Sequence, residues 1–374
     1  MKYNIWNKWD PLKVCMLGNN YAPEFFNGVP NKVGDPLKRI CEETLEDLDG
    51  YKKILQDFGV EVIQPEMDSK ERFLDDPQRY PRGPLQPRDD QLVIGNSCFA
   101  YNNDHPQIPI KLQEYGGLDD FKLGVKYPYV PTKDRYDIIA GTDWPSWEDY
   151  EKNKTNKEFF DDFVWQELLS FSYNAILSSA NCFMIGNRFY IGMITADINE
   201  FLKDLTDIEV KNLHPVFDKF KIITAPMDGH TDGNYHPIKP GAILSLYDVQ
   251  TYDQTFPGWD ICYLNGESWD KVKGFRKLKV QNQGKWYLAG ETDNHEFTHF
   301  VETWLQDWVG YVEETVFDVN VLMLDEHHCC VSQTNNQTVN AFLKKHKIEP
   351  VYVPWRHRYF WDGGLHCITL DLRR

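Results

Sequence analysis

The chain has 374 residues, of which 41% are hydrophobic and 14% aromatic, with a net charge of −17 at neutral pH. Such a composition is globular and holds enough apolar material for a large core. The acidic balance repels phosphate backbones and tolerates a cationic small molecule, so nucleic acid is not expected as a partner; the longest apolar runs, such as Val319 to Leu324, are far too short to cross a bilayer, so neither is a membrane.

In chain order, the first strong element is a helix. Asp35 suits its N-cap and Pro36 its first helical position. Leu37, Cys41, Thr44, Leu48, Tyr51, Leu55 and Phe58 fall at steps of four and three and form its buried face. Gly59 stands where a helix C-cap glycine belongs, and a strand over Val60 to Ile63 follows. Leu92 to Tyr101 reads as a hairpin turning at Gly95-Asn96, and Phe183 to Ile191 repeats it at Gly186-Asn187, since glycine accepts the positive φ of a tight turn. Val321 to Val331 forms a third hairpin turning at Asp325-Glu326. A helix around Thr338 to His346, a strand Val351 to Val353, a Trp- and Arg-rich loop and a last strand from about Cys367 to Leu372 complete the chain. No linker or low-complexity tract divides it, so one domain over 1–374 is expected. The recurring unit is ββαβ, and its repetition points to an α/β ring or propeller rather than a doubly wound sheet.

The first eight residues lack an apolar signal segment, and the eight cysteines, at 15, 41, 98, 182, 262, 329, 330 and 367, follow no regular framework. Both observations lead to an expectation of reduced thiols in a cytoplasmic protein.

Four segments concentrate chemistry. Pro87-Arg88-Asp89-Asp90 precedes a hairpin strand. Ser178-Ser179-Ala180-Asn181 enters the second hairpin. Gly229-His230-Thr231-Asp232-Gly233 places His230 and Asp232 two apart, on the same side of an extended backbone. Gly363-Gly364-Leu365-His366-Cys367 offers glycines that let backbone approach a ligand closely. A cysteine with a distant histidine can serve as nucleophile and general acid/base, and Asp89 and Asp232 can clamp a planar guanidinium in bidentate fashion. A lone strand cysteine is most often core, and a lone His-x-Asp is most often a local hydrogen-bonded pair; the weight lies in their co-occurrence.

Together these segments resemble the amidinotransferases of the glycine amidinotransferase type, within the guanidino-modifying pentein superfamily. The resemblance is carried by Trp9-Asp10-Pro11-Leu12, Pro87-Arg88-Asp89, His230-Thr231-Asp232 with Pro240 to Ser245, Asn320 to Glu326, and Gly363 to Arg374. It implies a five-bladed α/β propeller without metal or organic cofactor. Cys367 would then be the nucleophile, His230 the general acid/base, and Asp89 and Asp232 the guanidinium ligands. Substrates would be a small-molecule guanidino donor, arginine-like, and an amine acceptor, used in ping-pong order through an amidino-cysteine. A homodimer is compatible with the family. Two positions depart from its pattern. Ser178 and Asn181, read as part of the substrate site, stand where acidic residues are expected, and neither can supply negative charge. Val249 stands where an arginine for the donor carboxylate is expected. A guanidine hydrolase or deiminase, or a non-catalytic pentein, are the alternatives on this scaffold.

His295-Glu296-Phe297-Thr298-His299 is a formal H-E-x-x-H, which on a helix would present two zinc ligands and a base. It lacks a third ligand in any recognisable pattern, and the plainer expectation is a solvated helix start. His327-His328-Cys329-Cys330 makes a poor tetrahedral set, because neighbours on a strand point to opposite faces.

Overall fold

The computed structural model of the chain describes residues 2–76, 82–100, 105–119, 125–126, 145–153, 174–175, 177–193, 210–226, 231–245, 256–264, 288–305, 308–309, 318–332 and 336–374. The chain divides into two compact units, residues 122–176 and the remainder. In the small unit, β5 (Val125–Lys126) pairs antiparallel with β6 (Asn174–Ala175), and a short helix over Trp147–Asn153 starts at Ser146, whose hydroxyl accepts from the Asp149 amide.

The large unit repeats one sheet topology. In β7 (Cys182–Ile185), β8 (Arg188–Met193) and β9 (Lys221–Pro226), an antiparallel pair is followed by a parallel one. The same order holds for β10 (Tyr235–Lys239), β11 (Ala242–Ser245) and β12 (Asp260–Tyr263), and for β13 (Leu322–Met323), β14 (His328–Ser332) and β15 (Glu349–Val353). It holds again where the chain ends meet: β16 (Thr369–Arg373) lies antiparallel to β1 (Val14–Leu17), which lies parallel to β2 (Glu61–Ile63). β3 (Gln91–Ile94) and β4 (Ser97–Ala100) form a two-stranded hairpin. A parallel neighbour requires a crossover, and helices supply two of them. α1 (Asn31–Asp57) joins β1 to β2, and a helix over Gln337–Lys345 joins β14 to β15, which is the ββαβ unit read from the sequence.

All three hairpins form where expected. Gly95 and Gly186 take φ of +55° and +60°, and Asp325 closes the third turn by accepting from the amides of His327 and His328. The face expected for α1 is buried from Leu37 to Leu55, against Phe25, Phe26, Trp308, Trp355 and Trp361. Each such side chain contributes on the order of 1.5–3 kcal/mol on burial. The helix begins at Asn31 rather than at Asp35, so Pro36 lies in its second turn, and Phe58, beyond its last residue, is 41% exposed. The last strand starts at Thr369, which leaves Cys367 in the turn before it.

Candidate active site

The nucleophile candidate sits in a turn, residues 365–368, that the sequence builds from two glycines. A Cβ on Gly364 would lie 2.5 Å from Asn320 Oδ1, and one on Gly363 would collide with the Gln86 side-chain amide. Both neighbours use that closeness. Gln86 Nε2 donates to the carbonyls of Trp361 and Asp362, and Trp355 Nε1 donates to Gly363 O at 2.7 Å. α1 braces the same loop from outside: Thr44 Oγ1 accepts from Trp361 Nε1, and Asp47 accepts from the amide and guanidinium of Arg356.

Cys367 is 8% exposed, and its described neighbours include two polar side chains. Its sulfur lies 3.8 Å from Asp232 Oδ2 and 3.0 Å from Asn320 Nδ2. Asn320 Oδ1 accepts from the amides of both His366 and Cys367, and Asn320 Nδ2 also donates to Asp232 O. Asp232 Oδ2 is only 2.6 Å from His366 Nδ1, with both side chains buried. Burial, then Arg88 and Lys8, push the His366 imidazole well below its usual range, so the ring is neutral and its Nδ1 hydrogen goes to the carboxylate. A neutral donor orients Asp232 without cancelling its charge, as a lysine or arginine in contact would do.

Two loops complete the surroundings. Arg88 spans from the Asp89 loop to the nucleophile turn: Nε donates to the carbonyls of His366 and Thr369, and a terminal nitrogen lies 2.8 Å from Asp371. Asp89 is partly buried and 3.7 Å from Arg82. The Ser178 hydroxyl accepts from the Asn181 amide, the Ala180 carbonyl accepts from the Asp232 amide, and the Asn181 side chain is engaged with Thr231 Oγ1 and Gly192 O. These described contacts support the backbone that carries Asp232. Thr231–Asn234 is itself a helical turn, so the extended backbone expected at Asp232 does not form. His230 and Val249 lie outside the described residues.

Lys8 and His236 had no signal in the sequence. Lys8 is 7% exposed, and its ammonium stands 5.4 Å over the Phe183 ring. Among the described residues it has no ion pair. Burial, with a further push from Arg88, brings its pKa down to about 7 against the pull of Asp232 and Asp371. His236 packs edge-on to His366, ring centroids 4.7 Å apart, and burial with nearby Lys8 keeps it neutral. Burial would raise Asp371, yet Arg374 and Arg88 hold it well below the usual carboxylate range. Burial pushes the Cys41, Cys98 and Cys330 thiols up to about 12, and raises Cys15, Cys182 and Cys329 well above their ordinary range too.

The H-E-x-x-H segment opens α2 (His295–Trp304), with Asn294 capping it. His295 and His299 are exposed, and Glu296 is held at 2.6 Å by Lys32. Among the described residues no cluster of His, Cys, Asp or Glu could hold a metal ion. This is the solvated helix start, and it carries no metal-site argument. His328 turns to Asp325 while Cys329 and Cys330 are buried in β14, so that run does not converge either.

No family model matches the chain. Among curated proteins it is 23% identical to the mitochondrial glycine amidinotransferase of Xenopus laevis, covering 99% of this chain and 82% of that protein. It is 22% identical to the L-arginine:L-lysine amidinotransferase of Pseudomonas savastanoi pv. phaseolicola, covering 91% and 80%. Its homologues are amidinotransferases. Among solved structures, SxtG, an amidinotransferase from Microseira wollei, aligns over 100% of this chain and 98% of its own at TM-score 0.57 and 19% identity. The inosamine-phosphate amidinotransferase StrB1 from Streptomyces griseus aligns over 100% and 97% at TM-score 0.51 and 14% identity. These likenesses bear out the resemblance read from the sequence, and an α/β fold shared with amidinotransferase structures.

Proposed function

We propose that this protein is an amidinotransferase that carries an amidino group on Cys367 between a guanidino donor and an amine acceptor. The observation that carries the reading is the placement of the Cys367 sulfur 3.8 Å from the Asp232 carboxylate, in a chain whose homologues are amidinotransferases. A carboxylate beside a thiol suits a cationic, planar substrate whose central carbon is the point of attack.

The cycle follows from the groups present. A guanidinium settles against Asp232 and Asp89, and the Cys367 thiolate bonds to its central carbon. The C–N bond to the donor breaks, and the leaving nitrogen takes a proton from His230. The product is an amidino-cysteine and a free amine. An acceptor amine gives a proton to His230 and attacks the same carbon; the C–S bond breaks, and its electron pair returns to sulfur. Nothing in the cycle needs a redox partner or a metal. On the resemblance to the amidinotransferases, Ser178 and Asn181 stand at positions expected to be acidic, and Val249 at one expected to hold an arginine for the donor carboxylate.

The repeated sheets and the β3–β4 hairpin support reading the fold as a five-bladed α/β propeller that forms one catalytic domain over 1–374, with the site at its centre. The eight cysteines are all buried and none forms a disulfide, which supports a reducing, cytoplasmic setting. Among the described residues no helix is long and apolar enough to cross a membrane.

The test is incubation with arginine or agmatine, acid quench and intact-protein mass spectrometry. One amidino group should add to the wild type and map to Cys367, Cys367→Ser should gain nothing, and agmatine should serve about as well as arginine. Failure of any guanidino donor to load Cys367, or normal turnover by Cys367→Ser, would overturn the reading.

A further inference from the structure

We infer that Asn320 is a catalytic residue, whose side-chain amide donates to the Cys367 sulfur and stabilises it as a thiolate. The inference rests on Cys367 being the nucleophile of the reaction proposed above.

The geometry leaves Asn320 one orientation. An amide side chain has an acceptor end and a donor end that exchange by a half-turn. Here one end faces the backbone amides of His366 and Cys367, at 2.9 and 3.1 Å, and those can only donate. That end must be Oδ1. The other end faces the Asp232 carbonyl at 3.2 Å, which can only accept, and the Cys367 sulfur at 3.0 Å. Nδ2 therefore points an N–H at the sulfur. Asn320 is 2% exposed, so water cannot substitute for it, and the absent side chain of Gly364 is what lets the turn close on it.

That donor matters because the sulfur has an unfavourable neighbour. Asp232 Oδ2, 3.8 Å away, repels a thiolate, and Asn320 supplies a donor that offsets it. A hydrogen bond strengthens when its acceptor becomes charged, so Asn320 favours the thiolate over the thiol. It acts at both ends of the cycle: before attack, and again when the C–S bond of the amidino-cysteine breaks and sulfur leaves with the electron pair. The same side chain also fixes the turn through its two accepted amide bonds, which raises the question of whether its role is only structural.

Asn320→Asp separates the two. The carboxylate keeps the acceptor for both backbone amides and the shape of the side chain, but removes the donor and adds a negative charge. The readout is alkylation of Cys367 by iodoacetamide across pH, followed by peptide mass spectrometry, with circular dichroism to verify folding. Loss of a hydrogen bond to a charged group corresponds to a change of roughly tenfold to a hundredfold in such an equilibrium. Alkylation near neutral pH should therefore slow at least tenfold, the pH–rate profile should move to higher pH, and the rate should recover in strong alkali. Where the aspartate fails to fold, Asn320→Ser removes the amide donor without adding charge and should move the profile in the same direction. A profile that stays in place, with the rate unchanged or lowered equally at all pH values, overturns the inference. Iodoacetamide involves no amidino chemistry. A wild type that is never loaded by guanidino donors would thus overturn the proposed function while leaving this result readable.

Discussion

Replacing Asp232 by asparagine should push two measurable properties of the site in opposite directions. In the free enzyme, the carboxylate oxygen 3.8 Å from the Cys367 sulfur opposes ionisation of the thiol. Two unit charges at that separation interact with about 4 kcal/mol at an effective dielectric near 20. Lys8 and Arg88 share the neighbourhood and offset part of it, so the repulsion felt by the thiolate is smaller. Asparagine removes the charge and keeps the shape, and its Oδ1 can still accept from His366 Nδ1. Alkylation of Cys367 by neutral iodoacetamide, without substrate, should then accelerate about tenfold near neutral pH. Guanidinium binding should weaken, because a charge-assisted hydrogen bond contributes roughly 1.5–3 kcal/mol, or about tenfold to a hundredfold in affinity. Arginine protection against alkylation measures the second effect in the same assay. A variant that alkylates no faster than the wild type, or that arginine protects at unchanged concentration, would refute the reasoning, since either result means that Asp232 does not act on both thiol and substrate.

Lys8→Met should change how stability depends on pH. The Lys8 ammonium releases its proton near pH 7 in the folded chain, against an ordinary value of 10.5, so between those values the unfolded chain binds the extra proton and folding stability rises with pH. The wild type should gain about 1.4 kcal/mol per pH unit relative to Lys8→Met from about pH 7.5 to 9 in urea unfolding, with the variant favoured at lower pH, and a flat difference would contradict the burial argument. Exhaustive chelation should leave amidino transfer intact, because the proposed cycle uses thiolate, imidazole and carboxylates alone; loss with EDTA and recovery with zinc would reopen the reading of His295 and His299.

What could be read from the sequence was local or periodic. The face of α1 from Leu37 to Leu55 follows from side-chain spacing, and the hairpins at Gly95 and Gly186 follow from the one residue that accepts positive φ without strain. The ββαβ order of β13 to β15 followed from those signals in sequence. The start of α1 did not, because Asp35-Pro36 is a good initiation signal that tertiary packing of Val33 and Gly34 overrides. At the site, Cys367 and Asp232 were legible only as a constellation, and their separation of 3.8 Å depends on a helical turn at Thr231–Asn234 that the H-x-D spacing does not encode. Asn320 and His366 were present in the segments quoted, but their roles come from contacts across 47 and 134 positions of chain, which no periodicity reports. Lys8 was the least legible. A lysine near the start of a chain reads as solvated, and a buried cation is tolerated only where surrounding charges and a proton equilibrium reduce its cost. Here Asp232 and Asp371 pull its pKa upward, burial and Arg88 push it down, and the balance near 7 belongs to the assembled interior alone. The residues that set the electrostatics of the thiol are therefore those the sequence hides best, because each is defined by partners brought together only when the sheets close around it.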